Sequence, residues 1–273
     1  MASGRWQPQT IKRYIESIPT STRVVRVETD AGEGFLKAMG NPEGPHVLAC
    51  ELVGTLLAEW LGLLTLDNAI IWVGSDDEID FEGGGKAAVG PAFITKAETG
   101  MAWGGDVPTL RKLVNPGDIS RLIVLDTWIR NCDRYRPEPN RRVNRDNVFL
   151  TWSSNKRKGL TLKAIDHTHA FTCGRELTRR LSQLDDVQDK TLFGTFPEFF
   201  SFLRRDDVSD CAGRLGTMNT TEATKVVGKI PGEWQVEESI RLAWIKLICD
   251  RAKFVSEHIV SWLWPVGPRD DVR

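Results

Sequence analysis

Three short polar clusters, each at the edge of an apolar run, most constrain what this chain can fold into. They are Asn131-Cys132-Asp133-Arg134, Asn147-Val148-Phe149-Leu150 and Ala164-Ile165-Asp166-His167. Together they offer the carboxylates of Asp133 and Asp166 and the amide of Asn147 at the edges of apolar segments. Phosphoryl transfer from Mg-ATP needs such a set, because one carboxylate orients the substrate proton while an Asn and a second Asp hold the metal that bridges the phosphates. The clusters therefore predict a kinase-like phosphotransferase.

The other half of that requirement lies upstream, in a predicted strand that carries Lys37 and a predicted helix that carries Glu51. A strand lysine that faces a cleft can bind the phosphates of ATP while a helix glutamate holds it. Taken singly, each residue is explained as well by a solvated strand edge or an exposed helix face. The order Lys37, Glu51, Asp133, Asn147, Asp166 along one chain favours the kinase interpretation.

A polar turn, Pro19-Thr20-Ser21-Thr22, joins the first two predicted strands. In a kinase this turn lies over the phosphates and offers backbone N–H groups and hydroxyls to anionic oxygens. The glycine-rich kinase fingerprint is absent from this position. Thr20, Ser21 and Thr22 are therefore candidate ATP-binding residues, and an ordinary polar hairpin turn is the alternative.

The alternation of apolar and polar residues predicts an α+β chain with a two-lobed, protein kinase-like fold. The first lobe, residues 1–97, is a small antiparallel sheet with one helix; its predicted strands cover residues 11–17, 23–29, 35–39, 68–73 and 90–96, and its helix covers 46–61. The second lobe, residues 98–273, is mainly helical; it contains predicted helices over 118–129 and 236–263 and predicted strands over 148–152 and 160–165, joined by a basic turn at 155–159.

Composition is that of an ordinary soluble protein, with 41% hydrophobic and 27% charged residues. The formal net charge of −1 gives no global basic field that would argue for nucleic acid. The longest apolar stretch, residues 52–66, is interrupted by Gly54, Glu59 and Gly62, so we expect no membrane span. Five scattered cysteines and an amino terminus without an apolar signal core predict reduced thiols and a cytoplasmic protein.

The segment Phe35–Leu63, together with the Asn131–Arg134 and Ala164–His167 clusters, resembles the HipA-like kinase family. It is also similar to the phosphoinositide lipid kinases, which share the divergent two-lobed kinase fold, and the resemblance covers residues 11–171. The resemblance implies an ATP- and magnesium-dependent enzyme with the following residue roles. Lys37 would bind phosphates and Glu51 would hold it, Asp133 would be the catalytic base, Asn147 and Asp166 would bind magnesium, and Ile94, Thr95, Lys96 and Ala97 would form the hinge that meets adenine.

The chain departs from the family pattern after Asp133. In the family, the metal-binding asparagine follows the catalytic aspartate after only a few residues, a spacing that here falls on Glu138. Asn147 is favoured because an apolar strand follows it, and Asn140 and Asn144 remain competitors. At the position after Asp166, where classical protein kinases carry Phe-Gly, this chain has His167. His169 is interpreted as a source of local hydrogen bonding.

The lengthened loop is rich in arginine, and its arginines are Arg134, Arg136, Arg141, Arg142 and Arg145. Such a loop could contact an acidic substrate, a phosphate or RNA, and a solvated charged loop is the plainer alternative. It is the only part of the sequence that we consider for nucleic acid.

We therefore expect a cytoplasmic kinase that phosphorylates Ser or Thr of a protein substrate with ATP and Mg²⁺. Two alternatives stay open, namely a nucleotide-binding pseudokinase that regulates a partner, and a lipid or small-molecule kinase. The resemblance also raises a toxin–antitoxin role with an antitoxin-like protein partner. No basic amphipathic helix argues for a membrane.

Overall fold

The first third of the chain forms an antiparallel sheet of five strands in the order β1-β2-β3-β5-β4. The computed structural model describes residues 6–152 and 159–265, so residues 155–158 of the predicted basic turn lie outside the described residues. The strands are β1 (Ile11–Ser17), β2 (Val25–Thr29), β3 (Gly32–Lys37), β4 (Asn68–Val73) and β5 (Gly90–Lys96). All five coincide with predicted strands to within a few residues.

The alternation of side chains along β3 and β5 gives the sheet two different faces. Leu36 and Ile94, which pair across the two strands, are fully buried in an apolar core on one face. Lys37 and Phe93, the next pair in register, line a cleft on the opposite face. The sheet therefore has one closed face and one face open to a ligand.

Helix α1 (His46–Leu61) follows β3 and is buried along most of its length. It ends at Gly62, whose φ of 92° is the left-handed conformation that glycine adopts at little cost and that commonly closes helices. At Gly54 the helix approaches the rest of the protein closely, because a Cβ atom there would lie 2.4 Å from Cβ of His167. Only glycine allows α1 to lie this close to the segment that contains Asp166.

The second part of the chain is mainly helical. Its helices are α2 (Val107–Leu110), α3 (Gly117–Ile129), α4 (Leu184–Val187), α5 (Arg205–Leu215), α6 (Thr220–Val227) and α7 (Glu238–Leu263). A second sheet has the order β10-β9-β6, built from β6 (Gly100–Ala102), β9 (Val148–Trp152) and β10 (Leu160–Ala164). Helix α7 packs against α3, α5 and α6 and forms the centre of this part.

Buried Arg251 of α7 fixes the end of α3. Its guanidinium donates to the carbonyls of Thr127 at 2.6 Å and Trp128 at 2.8 Å, and also to carbonyls of the 186–189 segment. The last carbonyls of a helix have no partner within the helix, so a buried helix end requires such donors. Arg251 thus holds the point at which the chain leaves α3 and enters the loop that carries Asp133.

A second buried arginine joins that loop to the strand that precedes Asp166. The side chains of Arg134 and Asp126 are both 0% exposed, and Nε of Arg134 lies 2.8 Å from Oδ2 of Asp126. Arg134 also donates from Nη2 to the carbonyl of Ile165 at 2.9 Å. Burial raises the pKa of Asp126, against the opposing effect of Arg134. This pair therefore fixes the distance between the Asp133 loop and the end of β10.

The predicted 130–145 loop contains structure that the sequence did not indicate. Strands β7 (Tyr135–Arg136) and β8 (Arg142–Val143) pair as a short hairpin directly after Asp133. Cys132 and Cys173, both expected as isolated reduced thiols, lie side by side, with their Cα atoms 5.6 Å apart. These cysteines are 41 residues apart, so their spacing gave no sign of the contact.

No helix within the described residues is long and apolar enough to cross a membrane.

We expect Arg134→Met to lower the free energy of unfolding by about 3–5 kcal/mol, because it leaves the carboxylate of Asp126 buried without its cation. Urea unfolding followed by circular dichroism measures the change. Arg141→Met is the matched control, since Arg141 is exposed in the hairpin turn and its loss should cost less than about 0.5 kcal/mol. Equal losses in both variants would contradict a structural role for the buried pair.

Candidate active site

A cleft of about 420 Å³ lies between the open face of the first sheet and the second part of the chain. Its lining includes three aromatic rings, those of Phe35, Phe93 and Phe149. Charged groups, among them Lys37 and Asp166, also line it. A cavity with an apolar wall and a few convergent polar groups is the usual form of a small-molecule site. This one is suited to a ligand with a flat ring at one end and negative charge at the other.

Three charged side chains meet inside the cleft. Nζ of Lys37 lies 2.7 Å from Oε2 of Glu51 and 3.0 Å from Oδ1 of Asp166. Burial alone would lower the pKa of Lys37, but the carboxylates of Asp166 and Glu51 raise it above its ordinary value. Burial would likewise raise the pKa of Asp166, and Lys37 reverses the direction and holds that pKa below its ordinary value. All three groups are therefore charged at neutral pH.

Glu51 also holds the residue that follows Asp166. Its Oε2 accepts the backbone N–H of His167 at 3.0 Å. The hydroxyl of Thr55, one helical turn later, lies 3.2 Å from Nδ1 of His167. The absence of a side chain at Gly54 permits this approach. Strand β3, helix α1 and the end of β10 are thus joined at one carboxylate.

Asp133 lies at 5% exposure among several donors. Its Oδ2 accepts Nδ2 of Asn147 at 2.7 Å and Nδ2 of Asn144 at 3.4 Å. Its Oδ1 lies 2.5 Å from Nη2 of Arg142. Burial would raise the pKa of Asp133, but His169 and Arg142 lower it below its ordinary value. Asp133 is therefore a carboxylate that is ionised at neutral pH.

The three candidate asparagines occupy different places. Asn147 is 5% exposed at the end of a single 3₁₀ turn, immediately before β9, and it contacts Asp133. Asn144 is half-buried and makes the longer contact to the same carboxylate. Asn140 is exposed in the turn of the β7–β8 hairpin. The structure thus brings Asn147 and Asn144 to Asp133 and leaves Asn140 on the surface.

His169 lies between two carboxylates, a position that the sequence interpretation as local hydrogen bonding did not anticipate. Its Nε2 lies 3.2 Å from Oε2 of Glu43, and its Nδ1 lies 3.5 Å from Oδ2 of Asp133. Asp133, followed by Glu43, raises the pKa of His169 to about 9, although burial opposes the increase. The imidazolium therefore joins the loop after β3 to the loop after α3. No motif in the sequence connects residues this far apart.

The hydroxyls of the 19–22 turn point to different places. Thr20 lines the cleft, and its hydroxyl accepts the backbone N–H of Val24 at 3.0 Å. Ser21 is exposed and its side chain faces the carboxylate of Glu43. Thr22 is 3% exposed. Of the three residues, only Thr20 is placed along the cleft itself.

The four predicted hinge residues are also placed differently from one another. Thr95 lines the cleft, whereas the side chain of Ile94 lies in the apolar core behind the sheet. The backbone N–H groups of Lys96 and Ala97 donate to the carbonyls of Asp67 and Glu33. Those two N–H groups are therefore occupied within the protein, and Thr95 is the one of these four residues that lines the cleft.

Sequence reasoning did not single out two further residues that line the cleft. These are Asp146, directly before Asn147, and Phe149. Asp146 could have been noticed as an acidic neighbour of the metal-type asparagine. Phe149 belongs to an apolar strand and gave no functional signal.

The basic loop is less basic on its surface than its sequence indicates. Arg134 is the buried partner of Asp126. Arg145 is 2.6 Å from Glu198, and its guanidinium lies 6.0 Å from the centre of the Trp103 ring. Arg142 also forms an ion pair, with Asp133, but its side chain remains 52% exposed. Arg136, Arg141 and Arg142 form the hairpin surface next to Asp133.

The family model of the HipA-like kinases matches residues 21–257, and the chain belongs to that family. Among solved structures, the chain is similar to a crystal structure of a Helicobacter pylori proinflammatory kinase, CtkA. The TM-score is 0.56 at 10% sequence identity, over 94% of this chain and 98% of that chain. A search of curated proteins found no match. The predicted two-lobed kinase-like fold and the predicted family are confirmed, and the chain is a kinase by family.

We expect the charge on His169 to stabilise the folded protein in a pH-dependent way. Its pKa rises from 6.5 to about 9 on folding, so the stabilisation is fully present below about pH 6.5 and is lost as the pH rises through about 9. Urea unfolding of the wild-type protein and His169→Gln should therefore differ by about 2 kcal/mol near pH 6 and by much less near pH 10.

His258→Gln, which removes a histidine from helix α7, is the control. It should not show the same change of stability difference between the two pH values. A stability difference for His169→Gln that does not change between the two pH values would show that the imidazolium is not what holds Glu43 and Asp133.

Proposed function

We propose that this HipA-like kinase uses Mg-ATP to phosphorylate Ser or Thr hydroxyls of a protein substrate. The observation that carries the proposal is the contact of Lys37 with both Glu51 and Asp166 inside a cleft of about 420 Å³. A lysine held by a helix glutamate and placed next to a metal-type aspartate is the arrangement that kinases use to bind ATP phosphates. The apolar side of the cleft, with Thr95, would receive adenine.

The residues present fit a magnesium ion. Mg²⁺ prefers carboxylate and amide oxygens and keeps several waters and phosphate oxygens among its ligands, so few protein ligands are enough. Asp166 is 32% exposed, lines the cleft, and would hold the ion together with Asn147. Asp146, which lines the same end of the cleft, is a further candidate ligand. When bound, Mg²⁺ would neutralise charge that develops on the phosphates.

Asp133 would act as the catalytic base. It is anionic at neutral pH because His169 and Arg142 lower its pKa, and its carboxylate is held in position by the amide of Asn147. The substrate hydroxyl would donate its proton to Asp133 as the oxygen attacks the γ-phosphorus. Lys37 would hold the ATP phosphates in place. In such chemistry most of the acceleration comes from positioning and from fixed charges.

The family and the residues also support several broader proposals. We propose a boundary between the two lobes at residue 97. Residues 1–97 would then contribute the sheet and the helix that bind nucleotide, and residues 98–273 would carry the catalytic loop. We propose a cytoplasmic enzyme and, by family, a toxin–antitoxin setting with an antitoxin-like partner. Co-purification of the tagged protein with neighbouring gene products tests the last point.

One observation favours a second function, that of a nucleotide-binding module without catalysis. Oδ1 of Asp133, which the substrate hydroxyl would need, is 2.5 Å from Nη2 of Arg142. If this ion pair persists with ligands bound, the cleft binds nucleotide and the base stays blocked. Nucleotide binding without phosphate transfer, measured on the same sample, would distinguish this function from the kinase.

We expect Asp166→Asn to abolish magnesium-dependent ATP binding, because it removes the anionic ligand that faces the cleft. Isothermal titration calorimetry with a non-hydrolysable ATP analogue, with and without Mg²⁺, measures the loss, and circular dichroism confirms folding. Asp185→Asn, at an exposed aspartate of helix α4, is the matched control. Unchanged affinity in Asp166→Asn together with unchanged phosphate transfer would remove Asp166 from the metal site.

We expect Asn147→Ala to reduce phosphate transfer by about 10²- to 10³-fold, a typical loss when a preorganised polar group of an active site is removed. Asn140→Ala should have little effect, since Asn140 lies in the hairpin turn. Asn144→Ala should fall between them because its amide is 3.4 Å from Asp133. Radiolabelled phosphate transfer measures all three, and equal losses would contradict the choice of Asn147.

A further inference from the structure

The hairpin that follows Asp133 places two arginines directly opposite each other. Arg136 of β7 pairs with Arg142 of β8 in the register of the antiparallel ladder. Side chains at opposed positions leave the same face of a hairpin, with Cβ atoms about 4.5–5.5 Å apart, and like charges there are destabilising. An anion bound close to both guanidinium groups would remove that repulsion. The hairpin therefore presents two guanidinium groups in need of negative charge.

The protein itself supplies one such anion, the carboxylate of Asp133. Nη2 of Arg142 lies 2.5 Å from its Oδ1. Among the described residues, Arg136 forms no ion pair. Asp133 also lies 3.5 Å from His169, and Glu43 lies 3.2 Å from the other nitrogen of that histidine. Within the described residues, Arg136 is therefore the member of the opposed pair whose charge has no carboxylate partner.

The two side chains of the Arg142–Asp133 pair differ in their exposure to solvent, and only the exposed one is free to move to another anion. The side chain of Arg142 is 52% exposed, and that of Asp133 is 6% exposed. Arg142 can therefore rotate toward an incoming anion at the surface, whereas Asp133 is held in place by Asn147. When Arg142 turns away, Asp133 keeps Asn147 and His169 as partners, so the exchange does not leave its buried carboxylate unpaired.

We propose that Arg136 and Arg142 together bind a carboxylate of the protein substrate close to the hydroxyl that is phosphorylated. This inference rests on the proposed function and names its substrate class: Ser or Thr within an acidic segment. The substrate carboxylate takes the place of Asp133 at Arg142, and Oδ1 of Asp133 becomes available to the hydroxyl. The hydroxyl proton then passes to Asp133, the new O–P bond forms, the bond to the β-phosphate oxygen breaks, and ADP leaves.

RNA is the competing anion, and the structure argues against it. Two of the five arginines of the loop, Arg134 and Arg145, are used inside the protein. The formal net charge is −1, so the basic surface is local and small. Tight binding to a phosphate backbone generally requires several simultaneous phosphate contacts. A single carboxylate next to the acceptor hydroxyl requires only this arginine pair.

The test compares two fluorescent peptides that each contain one serine, flanked on both sides by aspartates in the first and by asparagines in the second. Binding is measured by anisotropy on the full chain in the presence of Mg²⁺ and a non-hydrolysable ATP analogue. We expect the wild-type protein to prefer the aspartate peptide by about tenfold, a typical value for charge-assisted bidentate contacts of arginine. Equal affinity for the two peptides, including no binding of either, overturns the proposal.

Variants locate the effect on the hairpin. Arg136→Gln and Arg142→Gln should each reduce the preference to about twofold or less, a loss consistent with removing one member of a charge-assisted contact. Arg141→Gln is the matched control, because it removes the same charge from the same hairpin at a position outside the paired register. It should change the preference by less than about twofold. An equal loss in Arg141→Gln would show that only net charge matters and would overturn a specific arginine pair.

Two further measurements distinguish binding of an acidic peptide from binding of RNA, and test the proposed kinase function separately. A single-stranded RNA that binds more tightly than the aspartate peptide, with the same dependence on Arg136 and Arg142, would assign the surface to nucleic acid and overturn the substrate class. Calorimetry with the ATP analogue on the same samples tests the function separately. Loss of peptide preference with intact magnesium-dependent nucleotide binding rejects only the substrate class, whereas absence of nucleotide binding rejects the kinase itself.

Discussion

The arrangement of the whole cleft depends on one buried carboxylate, that of Glu51. Lys37 on β3 lies 2.7 Å from it, and the backbone N–H of His167 donates to it at 3.0 Å. A carboxylate buried at this depth is costly unless it is paired and hydrogen-bonded, so the three elements that satisfy it must stay together. Helix α1 thereby aligns Lys37, the proposed phosphate ligand, with Asp166, the proposed metal ligand. A shift of α1 would separate all three groups at once.

A second buried ion pair, Arg134–Asp126, holds the other half of the site. It joins the end of α3 to the carbonyl of Ile165, the residue before Asp166. Asp166 is therefore fixed from two sides, by Glu51 through His167 and by Arg134 through Ile165. Fixed geometry of this kind is what phosphoryl transfer requires, because the protein contributes mainly position and charge. The buried pairs Lys37–Glu51 and Arg134–Asp126 therefore keep the charged groups of the cleft at fixed distances from one another.

The sequence predicted most of the first sheet, helix α1 and the residues of the charged cluster, because these depend on local periodicity and on motif order. The β7–β8 hairpin could not be predicted, since each strand has only two residues and its paired positions are both arginine. Contacts between distant segments were equally hidden. By sequence alone, Gly54 is a poor helix residue, and the reason for it is its close approach to His167. The ion pair of His169 with Glu43 likewise depends on a contact between residues far apart in the chain.

The ion pairs of the site fall into two groups that differ in how readily they exchange partners. Lys37 and Glu51 are 12% and 4% exposed, and breaking such a pair leaves a buried charge at a cost of about 3–5 kcal/mol. In the Arg142–Asp133 pair, Arg142 is 52% exposed, and Asp133 has Asn147 and His169 as further partners. In the proposed reaction, a substrate carboxylate displaces Asp133 from Arg142 and leaves the Lys37–Glu51 pair undisturbed. The same difference explains how a carboxylate can be kept ionised by cations and still be released to act as a base.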